Sequence, residues 1–240
     1  MSTTLAAAMG GWGGLAGAFA VFLLSHALPT RPALRARLVA ALGERLYLAT
    51  YATVSVSVLV WLIVAAGRAP YVALWPYAGW RIWLVNLVMP LACLLVAFAL
   101  GAANPLSFGG GEAGFDPARP GVAGVARHPL LLALALWGGA HMLANGDLAH
   151  VLLFGGFAGF ALLGMHMLDR RRQRRLGAAA WARLAANTSL WPLSALLDGR
   201  WRPRPGWGAA LRLVLGFALW LALLALHPLV IGVSPLPPGL

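Results

Sequence analysis

The residues with the most chemical capacity in this chain are its histidines: His26, His128, His141, His150, His166 and His227. A neutral imidazole is a good axial ligand for haem iron. An ionisable residue inside a membrane is expensive enough to count as a functional candidate. His26 closes an apolar run in Leu-Leu-Ser-His-Ala-Leu-Pro, and His141 lies inside another, in Leu-Trp-Gly-Gly-Ala-His-Met-Leu-Ala-Asn-Gly. Gly138 and Gly139, one turn before His141, leave room beside the helix for a flat macrocycle. The competing reading for each is a histidine hydrogen-bonded to a neighbouring helix. His166, one turn before Asp169, is either a ligand or an interfacial residue. His150 and His227 stand near aqueous interfaces, where an imidazole is cheap.

A second constellation is Arg127-His128-Pro129 at the mouth of an apolar run, with Asp169-Arg170-Arg171 at the end of another. Together they could grip an anionic headgroup or a cofactor phosphate through charge-assisted hydrogen bonds; plain electrostatic anchoring is the alternative. HExxH, GxSxG, a P-loop and paired intramembrane carboxylates are all missing, which removes zinc proteases, common serine hydrolases and NTPases. The single cysteine, Cys93, excludes an internal disulfide and a cysteine-based zinc site. The sequence alone names no catalytic residue.

The elements that must position these residues are membrane spans. Of 240 residues 61% are hydrophobic and only 10% charged, too little polar surface for a water-facing globule. The expected fold is all-α: a polytopic transmembrane helical bundle forming a single membrane domain. A bilayer core needs about 20 apolar residues as helix. Six stretches qualify, at roughly Leu5–Leu28, Tyr47–Ala66, Trp80–Leu100, Pro129–Ala144, Leu148–Leu168 and Ala209–Ile231. The fourth is short. No basic segment precedes the first, so it is expected to remain as a span rather than be cleaved.

Charge sets the orientation. All eighteen basic residues are arginine, and sixteen of them fall in or beside the loops 29–46, 101–128 and 169–208. The positive-inside rule places those loops in the cytoplasm and both termini in the periplasm of a bacterial inner membrane. The net charge of +12 then answers anionic lipid headgroups rather than nucleic acid, because it is confined to the segments between apolar runs. Asn145-Gly146-Asp147 reads as a helix stop followed by an N-cap. Trp75, Trp80 and Trp83 read as an interfacial belt. Residues 104–127 show no periodicity, and no element is expected there. Residues 169–202 are expected to lie on the membrane surface as amphipathic helix.

The stretches Ser25–Val56, Ala126–Ala158 and Asp169–Arg200 resemble the NnrU family of bacterial membrane proteins, and through it the plant 15-cis-zeta-carotene isomerase. The string RHP…LW..AH..ANGD (Arg127–Asp147) is the most specific part. The resemblance implies a membrane protein binding haem b, with a role linked to denitrification or isomerase-like on a lipophilic molecule. The isomerase's ligand histidines match His26 and His141. Its cysteine three residues before the second histidine is Gly138 here. A weaker likeness, through Arg127-His128-Pro129, reaches isoprenylcysteine carboxyl methyltransferases and implies S-adenosylmethionine. A non-enzymatic assembly partner is the third reading. Straight spans put His26 near the cytoplasmic face and His141 about 18 Å above Pro129. His26 with His128 or His166 would match better in depth.

Overall fold

The structure is a computed structural model describing residues 2–111, 113–204 and 206–237, without the side chains of residues 2–10. The chain ends, and with them the expected placement of both termini, lie outside the described residues. Among those residues there are helices and two isolated β-bridges but no strand. The helices are α1 (Ser2–Ala27), α2 (Pro32–Leu42), α3 (Glu44–Arg68), α4 (Gly79–Ala99), α5 (Val122–Val125), α6 (Pro129–Asn145), α7 (Leu148–Leu176), α8 (Ala178–Ala185), α9 (Ser194–Leu197) and α10 (Trp207–Val230). Four of them, α3, α4, α7 and α10, are long and apolar enough to cross a membrane. The segment Gly11–Ala27 with α2, bent by 79°, makes a fifth candidate. At 17 residues α6 is about 25 Å long, short of the roughly 30 Å hydrocarbon core. These four to five candidate spans are roughly consistent with the expected six, and the expected fourth span, α6, is the one that falls short.

The helices group into two compact units. In the first, Met1–Pro76 with Gly146–Leu153, α1 packs on α3. Leu15, Ala18 and Phe22 are buried on one helix, and Val58, Leu62, Ala65 and Ala66 on the other. Both sets follow the three-to-four spacing of one helical face. Residues 29–46, expected as a loop, contain α2 instead. It starts with Pro32, which suits a first turn, and ends at Gly43, whose φ of +77° breaks it from α3. Tyr47 fastens the corner, donating its hydroxyl to Pro29 O at 3.1 Å beneath the Arg35 guanidinium, 5.4 Å from the ring centre. The Asn145-Gly146-Asp147 turn behaves as expected. Gly146 has φ +72°, and Asp147 Oδ1 accepts from His150 N at 3.2 Å, capping α7. Trp75 closes over that glycine: a Cβ on Gly146 would lie 2.7 Å from its ring.

In the second unit, Tyr77–Asn145 with Phe154–Leu240, α4 packs against both α6 and α10. On α7 the buried residues Phe157, Ala161, Met165 and Asp169 recur every four positions, so an aspartate continues an apolar stripe. Helix α7 also passes Leu168, the expected end of the span, and runs to Leu176. The arginines after Asp169 end the apolar stretch without ending the helix. The amphipathic helix expected over 169–202 is split into the end of α7, then α8 and α9 separated by an irregular turn. Among the described residues of 104–127, the single turn of α5 is the only helix.

Candidate functional site

The most elaborate polar arrangement sits where the chain enters α6. Arg127, His128 and Asp169 are all buried, His128 to 1% exposure. Arg127 Nη1 donates to Asp169 Oδ2, and Arg127 Nε donates to Thr188 Oγ1 at 2.7 Å. Its guanidinium lies over the Trp181 ring, 5.1 Å from the centroid. Asp169 Oδ1 is 2.9 Å from His128 Nε2, so that nitrogen carries a proton toward the carboxylate. His128 Nδ1 meets Ser107 Oγ at 3.2 Å. One carboxylate thus serves both residues of the Arg-His pair.

The surrounding backbone is fixed by side chains from otherwise irregular segments. Asn104 Nδ2 donates to Arg127 O at 2.9 Å, while its Oδ1 accepts from Leu106 N at 3.1 Å. Arg127 N donates to Ser189 O at 2.6 Å, and Ser189 Oγ donates to Gly124 O at 2.6 Å. Gly124 has no alternative: a Cβ there would lie 2.3 Å from the Trp201 ring. Nearer the surface of the loop, Asp116 accepts from Arg119 Nε and Ala118 N. These bonds, Arg119's first, hold its carboxyl below the ordinary carboxylate range.

Ser107, His128 and Asp169 form a serine–histidine–carboxylate chain, the order used in nucleophilic catalysis. Exposure decides against that use, since Ser107 is 2% accessible and no substrate carbonyl can reach its Oγ. The arrangement is a charge-compensated lock joining the start of α6 to α7 and to the segment after α8. Both ring nitrogens of His128 are engaged, so it could take a metal only by releasing Asp169 or Ser107.

His26 and His141 are placed differently from His128 but alike to each other. Nδ1 of His26 lies 2.8 Å from Phe22 O, and Nδ1 of His141 lies 2.9 Å from Trp137 O. Each carbonyl belongs to the residue four positions earlier on the same helix. A carbonyl can only accept, so each Nδ1 holds the proton and each Nε2 keeps its lone pair. The His26 ring packs against Phe22, at 4.3 Å between centroids. The His141 ring packs against Trp137 and Phe154, at 5.4 and 5.2 Å.

The space expected beside His141 is divided between its two glycines. At Gly138 it is taken by α7, because a Cβ would lie 2.7 Å from Phe154 O. At Gly139 a Cβ would meet nothing within 4 Å. His166 is exposed, with its ring edge 6.1 Å from Trp191. His150 pairs with the Asp147 carboxylate at 2.8 Å, and His227 Nδ1 donates to Val233 O at 2.7 Å. Among the described residues, no three His, Cys, Asp or Glu side chains cluster as a metal site.

Sequence reasoning missed Asn104, Ser107, Thr188 and Ser189, which complete the buried network. The only available signal was small polar residues inside otherwise apolar or basic stretches. It also passed over Asn86 on α4, whose Nδ2 donates to Pro235 O at 2.8 Å.

Apolar spans built around an internally neutralised Arg–Asp–His network define a polytopic α-helical membrane protein. The family model described as NnrU protein matches residues 14–235, and the chain belongs to that family. No curated protein and no solved structure matches it.

Proposed function

We propose that this protein binds haem b within the membrane through an imidazole Nε2 atom, with His26 and His141 each a candidate ligand, and serves a redox-linked role on a nitrogen oxide or a lipophilic molecule. The observation that carries this reading is the shared arrangement of the two histidines. Ligand histidines characteristically donate the other ring N–H to a carbonyl or carboxylate, which fixes the tautomer and raises basicity. His26 and His141 both do so. Gly139 adds an open helix surface two residues from His141. Bound haem would supply one-electron chemistry. The chain's own residues orient the imidazoles and pack Phe22, Trp137 and Phe154 against them.

Methyl transfer with S-adenosylmethionine at Arg127 and His128 has less support, because both side chains are committed to Asp169, Thr188 and Ser107. Protein purified after expression with ample haem supply should show a Soret band that shifts on reduction. His141→Ala should abolish or displace the band, as should His26→Ala. Colourless protein, or spectra unchanged in both variants, would overturn the assignment.

We also infer a bacterial inner-membrane location with the arginine-rich loops in the cytoplasm, where anionic headgroups meet them. An alkaline phosphatase fused after residue 240 should be active, and a green fluorescent protein fused there should be dark. The reverse pattern would invert the topology.

A further inference from the structure

Helix α10 touches its unit along a narrow strip. Gly216 is its one buried residue, and a Cβ there would lie 2.7 Å from Leu94 Cδ2 on α4. Beside that contact a groove of about 550 Å³ runs between the helices. Val96 and Ala97 line it from α4 and Leu100 from just past its end, and Leu211, Leu215 and Leu219 from α10. The only charged side chain in its lining is Arg212. Arg212 Nη1 donates to Ala97 O, Phe98 O and Leu100 O at 2.6, 3.0 and 2.9 Å. These carbonyls close the C-terminal end of α4, so one guanidinium nitrogen is spent on the helix end and fixes the direction of the rest. Nη2 and Nε make no hydrogen bond within the described residues, and the side chain is partly exposed.

We propose that this groove binds one anionic glycerophospholipid, with an acyl chain lying along α10 and the phosphate on Arg212. Three features select that occupant. The groove lies within two membrane-crossing helices, of which α10 is only 6% buried over its most apolar window, so its open side faces lipid. Its walls are aliphatic, and an acyl chain meets them without stranding polar groups. Its single cation stands one turn inside α10 from Trp207, which is 92% exposed, as expected for an aromatic anchor at the headgroup level. From Arg212 to Leu219 the helix rises about 10 Å, which accommodates the upper part of an acyl chain below a phosphate held at Arg212. The guanidinium fork suits a phosphate, which it binds through paired, charge-assisted hydrogen bonds. This assignment is independent of haem.

The test is native mass spectrometry of the full chain in detergent, titrated separately with phosphatidylglycerol and phosphatidylcholine. A one-to-one phosphatidylglycerol adduct should survive collisional activation that strips phosphatidylcholine. Arg212→Gln, which can still donate to the α4 carbonyls, should weaken the phosphatidylglycerol adduct by about fivefold, the scale of one arginine at an anionic surface, and erase the preference between lipids. Leu215→Trp leaves Arg212 in place and fills the groove, and should remove the adduct. Equal retention of both lipids by the unaltered protein would overturn the proposal. So would an adduct unaffected by Leu215→Trp, or a dimer that excludes lipid from this face.

Discussion

Asp169→Asn is expected to destabilise the protein by about 3–5 kcal/mol, the cost of leaving a buried charge without its partner. Asparagine keeps the size of the side chain and can still accept from one neighbour. It cannot neutralise Arg127, whose guanidinium is enclosed by Thr188, Trp181 and the carboxylate itself. The loss also spreads. His128 Nε2 loses a charged acceptor, and the hold of α7 on the start of α6 weakens with it. Unfolding of the purified protein in mixed micelles, followed by circular dichroism, measures the effect. Asp198→Asn is the control, because its pair with Arg200 is exposed and exposed pairs contribute about 0–1 kcal/mol. Replacing Arg127 and Asp169 together with apolar residues should recover much of the loss, since removing both charges removes the imbalance. If Asp169→Asn unfolds within about 0.5 kcal/mol of the unaltered protein, the span of an ordinary surface substitution, the network is not the lock described.

Two adjacent glycines should respond in opposite directions. At Gly138 an added Cβ would lie 2.7 Å from Phe154 O and 3.1 Å from Ala158 N. Those atoms are helix backbone and cannot swing aside, so α6 and α7 must separate. Gly138→Ala should cost about 1–3 kcal/mol, the range for overpacking a tight contact. At Gly139 the same methyl meets nothing within 4 Å, and alanine gains about 0.8–1 kcal/mol of helix propensity. Gly139→Ala should be neutral or stabilising. Equal responses in the same unfolding assay would contradict the close approach of α7. The same geometry bears on the cysteine that the isomerase resemblance places at the position of Gly138. A cysteine here would bring its Cβ onto the Phe154 carbonyl before its sulfur could reach anything.

The spans were legible because each is a long apolar run, and hydropathy measures what the bilayer selects. Boundaries were legible where a helix stops for a local reason, as at Asn145-Gly146-Asp147. They were misread where the membrane environment ends but the helix does not. Asp169 to Arg175 looks like the end of a span, yet its arginines and Gln173 favour helix and α7 continues to Leu176. Helix α2 was hidden for the complementary reason: it is too short and too polar to register as a span, and Pro29 and Pro32 suggest a loop. The Arg127, His128 and Asp169 side chains were recognised as sharing one membrane face. Their mutual burial was not, because charge spacing locates residues in depth but does not pair them. The four-residue recurrence of Phe157, Ala161, Met165 and Asp169 was the one signal that the aspartate points inward.

The corner between α1 and α2 has a consequence for adaptation to different lipids. A helix that crosses a bilayer alone can slide and tilt as the membrane thickens or thins. Helix α1 cannot do so freely, because α2 leaves it at 79° and carries Arg35 and Arg37, which favour the headgroup layer. With α1 in the bilayer and α2 along its surface, the pair would act as a bracket on one leaflet. His26 sits one residue before the end of α1, so its depth is measured from that leaflet. Changes in bilayer thickness should then be taken up at the opposite end of α1, and the depth of the imidazole should change little.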